Sequence, residues 1–123
     1  KRFGIGSTTA AEMLLLLSKL ERRELVSREA SEAMLSHLKA CEDQHKFRRF
    51  LPGGTVVAYK TGSVDAVRTA AGILYTPSGP VALCVLTADN ADQRWTLDNA
   101  GDRLCAEIAR EVFAAFDSPA KKP

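Results

Sequence analysis

Apolar positions recur with a helical period near both ends of the chain and in almost unbroken runs in its middle, and this change of period lays out the elements. In "TAAEMLLLLSKLERREL", Thr9 to Leu25, the residues Met13, Leu16, Leu17 and Leu20 share one helical face, with Lys19 and Glu21 to Arg23 on the wet side. Thr9 followed by Glu12 is a capping box, in which each side chain satisfies a backbone N–H left open at the helix start. A second start comes at Ser27, whose hydroxyl can cap "REASEAMLSHLKAC" while Glu29 sits near the positive end of the helix dipole. Ala30, Met34, Leu38 and Cys41 mark its apolar side. Two helices joined by a short turn predict an αα-hairpin laid over one face of another layer.

That layer is a sheet. Thr55 to Lys60, Thr69 to Thr76 and Val81 to Thr87 read as strands, with "PSGP" as the tight turn between the second and third. The interiors "AAGILY" and "VALCVL" are apolar almost throughout, which predicts a sheet covered on both faces. The second cover is a helix within "DNADQRWTLDNAGDRLCAEIAREVFAAF", with Leu97, Leu104, Ile108, Val112 and Phe116 on one stripe and Asp98, Asp102, Arg103, Arg110 and Glu111 mainly outside. Pro119 and the lysines after it predict a mobile tail over residues 118–123. The expected class is α+β: an antiparallel sheet of three strands covered by an N-terminal helical hairpin and a C-terminal helix. No repeat or linker divides the chain, so 1–123 reads as one segment.

Composition removes several classes of partner. At 123 residues and 46% apolar content the chain can build one core. Seventeen basic against fifteen acidic residues leave a formal +2, far from the balance of a dedicated nucleic-acid binder. "EDQHKFRRFLPGG" does set Lys46, Arg48 and Arg49 beside Phe47 and Phe50, the ingredients of a base-stacking, phosphate-binding patch. Nothing else extends that patch, so the segment reads as a solvated loop whose aromatics anchor it to the core, and no nucleic-acid partner is expected. The longest purely apolar run, Met13 to Leu17, is too short to cross a membrane. The opening does not read as a signal peptide, because the apolar stretch after Lys1 and Arg2 is broken by Ser18, Lys19 and Glu21 and carries helix caps; the chain reads as mature, cytoplasmic or cut from something longer. Cys41, Cys84 and Cys105 are too widely spaced for a zinc knuckle and read as free thiols. His37 and His45 read as packed or exposed histidines, and Gly53 and Gly54 are too few to cradle a phosphate. No metal or cofactor is expected.

The remaining chemistry sits in "VVAYKTGSVDAVRTAAGILY", where Lys60, Thr61 and Gly62 end an apolar run at the point where a sheet can present side chains to a cleft. A strand-end lysine reaching water is commonplace, and the flanks decide the matter. Lys-Thr-Gly-Ser on a strand, a hairpin partner containing "AAGILY", then "PVALCVLTAD" and a terminal amphipathic helix resemble the C-terminal part of the penicillin-recognising serine hydrolases, and class A β-lactamases most of all. "STTAAEMLLLLSKLERRELVS" likewise resembles the helix these enzymes carry after their omega loop, so the resemblance runs from Ser7 to Phe116.

The resemblance implies a role for each residue. Lys60 is the lysine of the Lys-Thr/Ser-Gly motif, raising the local positive potential, orienting a substrate carboxylate and favouring loss of a neighbouring serine's proton. Thr61 donates its hydroxyl to the same carboxylate, and Gly62 leaves the strand edge clear for an acyl group. Ser63 supplies a backbone N–H of the oxyanion hole. Arg68 adds a second positive charge for the carboxylate, although it follows Lys60 one residue sooner than in the best-known class A enzymes. The family also uses a Ser-x-x-Lys nucleophile at a helix start, a Ser-Asp-Asn motif and, in class A, a glutamate that activates water. Ser7, Ser18, Ser27 and Ser31 are followed three residues on by Ala10, Glu21, Ala30 and Met34, and all three motifs are expected upstream of this chain, with Lys1 falling just past the omega loop. The expected function is therefore the carboxylate-binding and oxyanion wall of a serine acyl hydrolase acting on a β-lactam or a related amide, ester or cell-wall peptide. Its expected partner is the N-terminal half of the same hydrolase, or a second copy, in the periplasm or secreted from a bacterium. The alternative is a non-catalytic binding module with the same sheet.

Overall fold

The computed structural model describes residues 6–118, so the tail beyond Ser118 and the first residues of the opening loop lie outside it. Two helices, three strands and a last helix follow in the expected order: α1 (Ala10–Glu21), α2 (Arg28–Lys39), β1 (Val57–Val64), β2 (Val67–Thr76), β3 (Gly79–Thr87) and α3 (Ala100–Ala115). The strands form one antiparallel sheet in the order β1-β2-β3. The α+β expectation holds.

Local chemistry explains the boundaries. Thr9 Oγ1 accepts from Glu12 N–H while the Glu12 carboxylate accepts from Thr9 N–H, the expected capping box. Ser27 Oγ accepts from Ala30 N–H and caps α2. Both helices end sooner than their apolar pattern suggests. α1 stops before Arg23, whose φ is +59°, and Leu25 is pinned by its N–H and C=O to the buried hydroxyl of Ser31. β1 is longer than expected: Lys60 to Ser63 lie inside the strand, and a two-residue turn at Asp65 and Ala66 sends the chain back as β2.

Pairing fixes two faces. Ala58 and Ile73 face α1 and α2, where they pack with Leu17, Leu20 and Leu35. Val57, Tyr59, Ala70, Leu74 and Val85 face the other way, against Phe47 and the α3 residues Cys105, Ala109 and Phe113. The α3 stripe is therefore a correction. Leu97, Leu104 and Phe116 are 50%, 45% and 43% exposed, Ile108 and Val112 are half-buried, and the buried face is Asp102, Cys105, Ala106, Ala109 and Phe113. Small residues let the helix approach the sheet closely, so alanines, Cys105 and Phe113 form the centre of the contact stripe, with Ile108 and Val112 packed at its margin. Asp102, expected outside, is in the core. The 42–54 segment is also corrected: its aromatics anchor it as expected, but Lys46 is buried as deeply as Phe47.

Candidate functional site

β1 is an edge strand, and the Lys60–Ser63 stretch occupies its open side. In an antiparallel ladder, residues alternate between those bonded to the partner strand and those whose N–H and C=O point away. The two-residue turn makes Val64 and Val67 a bonded pair, and Tyr75 N–H to Val56 O, at 3.2 Å, has the same parity at the far end. Gly62 and Thr69 are then a bonded pair, as are Lys60 and Ala71. Thr61 and Ser63 are not; their N–H groups are directed away from β2, toward the open edge.

Side chains follow the same alternation. Lys60 is exposed on the α1 and α2 face, where its Nζ donates to Thr61 O at 2.5 Å. Lys60 and Thr61 together line a cleft of about 230 Å³ with Thr8, Met13, Thr69 and Leu86. Beside it lies an apolar groove of about 400 Å³ between the helical hairpin and the sheet, lined by Met13, Leu16, Leu20, Met34, Leu38 and again Lys60. Gly62 needs its missing side chain, since a Cβ there would stand 2.6 Å from Thr69 Oγ1.

Beneath the strand end, on the α3 side, is a charged cluster that the sequence did not reveal. Lys46, 1% exposed, points its ammonium at Gly62 O (2.8 Å), Ser63 Oγ (2.9 Å) and Thr69 O (3.0 Å). Asp102 Oδ1 lies 3.6 Å from Lys46 Nζ and 3.6 Å from Arg68 Nε, and takes no hydrogen bond. Burial pushes the neighbouring Cys105 thiol up to about 11. A buried lysine with partners distant in sequence has no local signature; only its place five residues after Cys41, where the helix pattern breaks, could have drawn attention to it.

Arg68 does not fit the role expected of it. It is 1% exposed, and its four terminal N–H groups are aimed at the carbonyls of Asp65 (2.7 Å), Val67 (2.8 Å), Gln93 (3.4 Å) and Arg94 (3.1 Å). The fifth, on Nε, faces Asp102, so no donor is left for a substrate carboxylate. The guanidinium instead ties the β1–β2 turn to the loop before α3, with the Trp95 ring over it at 4.6 Å. Gly101 makes room for this, because a Cβ there would meet Arg68 Cγ at 2.8 Å.

Other candidates are placed apart. A Ser-x-x-Lys spacing does occur, at Ser36 to Lys39, which corrects the expectation that none is present. It falls in the last turn of α2, not at a helix start, with both residues exposed and Lys39 Nζ over the Tyr75 ring at 4.7 Å. A second, Ser118 to Lys121, lies mostly outside the described residues. Among the described residues, no three His, Cys, Asp or Glu side chains are grouped to hold a metal ion, and no helix is long and apolar enough to cross a membrane.

Comparison with known proteins gives a consistent result. Residues 3–116 match the model of the beta-lactamase enzyme family. The extended-spectrum beta-lactamase PER-1 of Pseudomonas aeruginosa is 31% identical over 107 residues, 80% of this chain and 33% of that protein. The crystal structure of the TLA-1 extended-spectrum beta-lactamase superposes with a TM-score of 0.81 at 27% identity, covering 90% of this chain and 42% of that one. For a beta-lactamase from Sphaerobacter thermophilus the TM-score is 0.76 at 25% identity, with 91% and 41% covered. The chain spans less than half the length of each of these relatives.

Proposed function

The chain belongs to the beta-lactamase enzyme family, and from that membership we propose that it forms one wall of an acyl-transfer site whose nucleophile is carried by an N-terminal half of the same hydrolase. The observation that carries the reading is the open side of β1, where the Ser63 N–H faces outward on the same strand end that carries Lys60 and Thr61 into a cleft. A serine hydroxyl from the other half gives up its proton and adds to the carbonyl of a β-lactam, or of a related amide or ester; the carbonyl carbon's bond to nitrogen or oxygen then breaks, the leaving atom takes a proton, and the serine is left acylated. The oxygen of that carbonyl gains negative charge as the bond forms. Ser63 N–H is the donor placed for it, in a setting where a fixed donor contributes most. Lys60 lends positive potential and Thr61 a hydroxyl to the substrate carboxylate, while Gly62 keeps the acyl group close to the strand. The apolar groove beside Lys60 receives the nucleophile-bearing part of the other half. The assembly works in the periplasm or outside a bacterial cell, where β-lactams and cell-wall peptides are met.

Exposure of the purified assembly to a fluorescent penicillin tests this. Covalent labelling is expected, with Lys60→Ala slowing it at least about 100-fold, the scale of losing one electrostatic contact to the transition state. An assembly that is never labelled supports a non-catalytic binding module instead, and equal labelling of the Lys60 variant removes the role given to that residue.

A further inference from the structure

We propose that Lys46 is a positioning residue for this site, and that its buried ammonium orients and polarises the Ser63 N–H through the peptide bond that joins Gly62 to Ser63. The proposal rests on the reading of Ser63 as an oxyanion donor. Gly62 C=O and Ser63 N–H are the two ends of one planar unit and point in opposite directions across it. Lys46 Nζ bonds to that oxygen at 2.8 Å from the β2 side, so the N–H is held toward the open edge. Any rotation of the peptide that turned the donor away from an oxyanion would pull the oxygen off the ammonium. A charged donor on the oxygen also draws electron density through the amide and strengthens the N–H as a donor.

The geometry does not read as simple strand support. Gly62 and Thr69 are a bonded pair in the ladder, so each carbonyl keeps the other residue's N–H as a partner without Lys46. An apolar side chain of similar length would fill the same space without the cost of burying a charge. An ammonium has three protons, and Lys46 has three oxygens within 3.0 Å, all on the β1–β2 ladder. Asp102, at 3.6 Å, offsets the charge without drawing one of those protons away. Asp102 faces two cations, Lys46 and Arg68, with one carboxylate.

Acylation kinetics and infrared difference spectra of the acyl-enzyme, on the assembled protein, test the proposal. Lys46→Met is expected to slow acylation by a penicillin at least about tenfold, part of the 10²–10³ that loss of an oxyanion donor costs, with substrate affinity little changed. The ester carbonyl stretch should move to higher frequency, a change that lower stability alone does not produce. A folded Lys46→Met assembly that acylates at the unaltered rate with an unshifted stretch overturns the proposal. If that variant does not fold, Lys46→Gln takes its place with the same two readouts. If neither folds, a scalar coupling across the hydrogen bond from Lys46 Nζ to the Gly62 carbonyl carbon, sought by NMR in the unaltered protein, supports the proposal when present and overturns it when absent. An unaltered assembly that penicillin never acylates removes the reading of the site, and this proposal with it; acylation of the unaltered assembly with no effect at Lys46 removes this proposal alone.

Discussion

Lys60 and Arg68 carry the same charge on paired strands of one hairpin, yet one side chain is exposed in a cleft and the other is spent inside the molecule. Their substitutions should therefore separate activity from stability. Lys60→Ala is expected to leave the unfolding free energy within about 0.5 kcal/mol, as for exposed positions without special contacts. Arg68→Met should lose at least about 2 kcal/mol, because the carbonyls of Asp65, Val67, Gln93 and Arg94 lose a buried donor. Chemical denaturation of the two variants checks both, and an Arg68 variant as stable as the unaltered chain would return that residue to the list of possible substrate contacts. The contrast also shows what residue type can reveal. Lys60 was legible because its neighbours Thr61, Gly62 and Ser63 form a motif in sequence. Lys46 was not, because the groups that allow its burial come from β1, β2 and α3 and meet only after folding.

At the scale of elements, what was legible was whatever a few adjacent residues decide. The caps at Thr9 and Ser27, the strand hairpins and the two-sided cover of the sheet all belong to that kind. The phase of α3 does not. Its pattern offers two neighbouring stripes, one of large aliphatics and one of small residues with Phe113, and the sheet takes the second because close approach buries more of both surfaces. Phe113→Ala should then cost about 3–5 kcal/mol, as expected for a large aromatic removed from a core. Leu104→Ala should cost less than about 1 kcal/mol in the isolated chain. The reverse order in thermal or denaturant unfolding would restore the stripe that the apolar pattern alone suggests.

Among the described residues, the sheet has both edges unpaired and the helical hairpin is apolar on more than its buried side. Leu14, Leu15 and Leu16 of α1 are exposed, as are Leu97, Leu104 and Phe116 around α3. Unpaired edges and adjoining apolar surface favour association. The chain is expected to copurify with the N-terminal half proposed for it, or to self-associate when alone. A monodisperse, cooperatively unfolding monomer of 13.3 kDa in sedimentation would overturn that expectation. The shared carboxylate of Asp102 has a further consequence, for inheritance. One acidic residue serves both Lys46 and Arg68, so a lineage that loses Asp102 first strands two buried cations, whereas one that first gives up either cation keeps a balanced pair. The three positions can drift only in a restricted order. The history of this fold should hold descendants with either cation replaced and Asp102 kept, and few with Asp102 replaced and both cations kept.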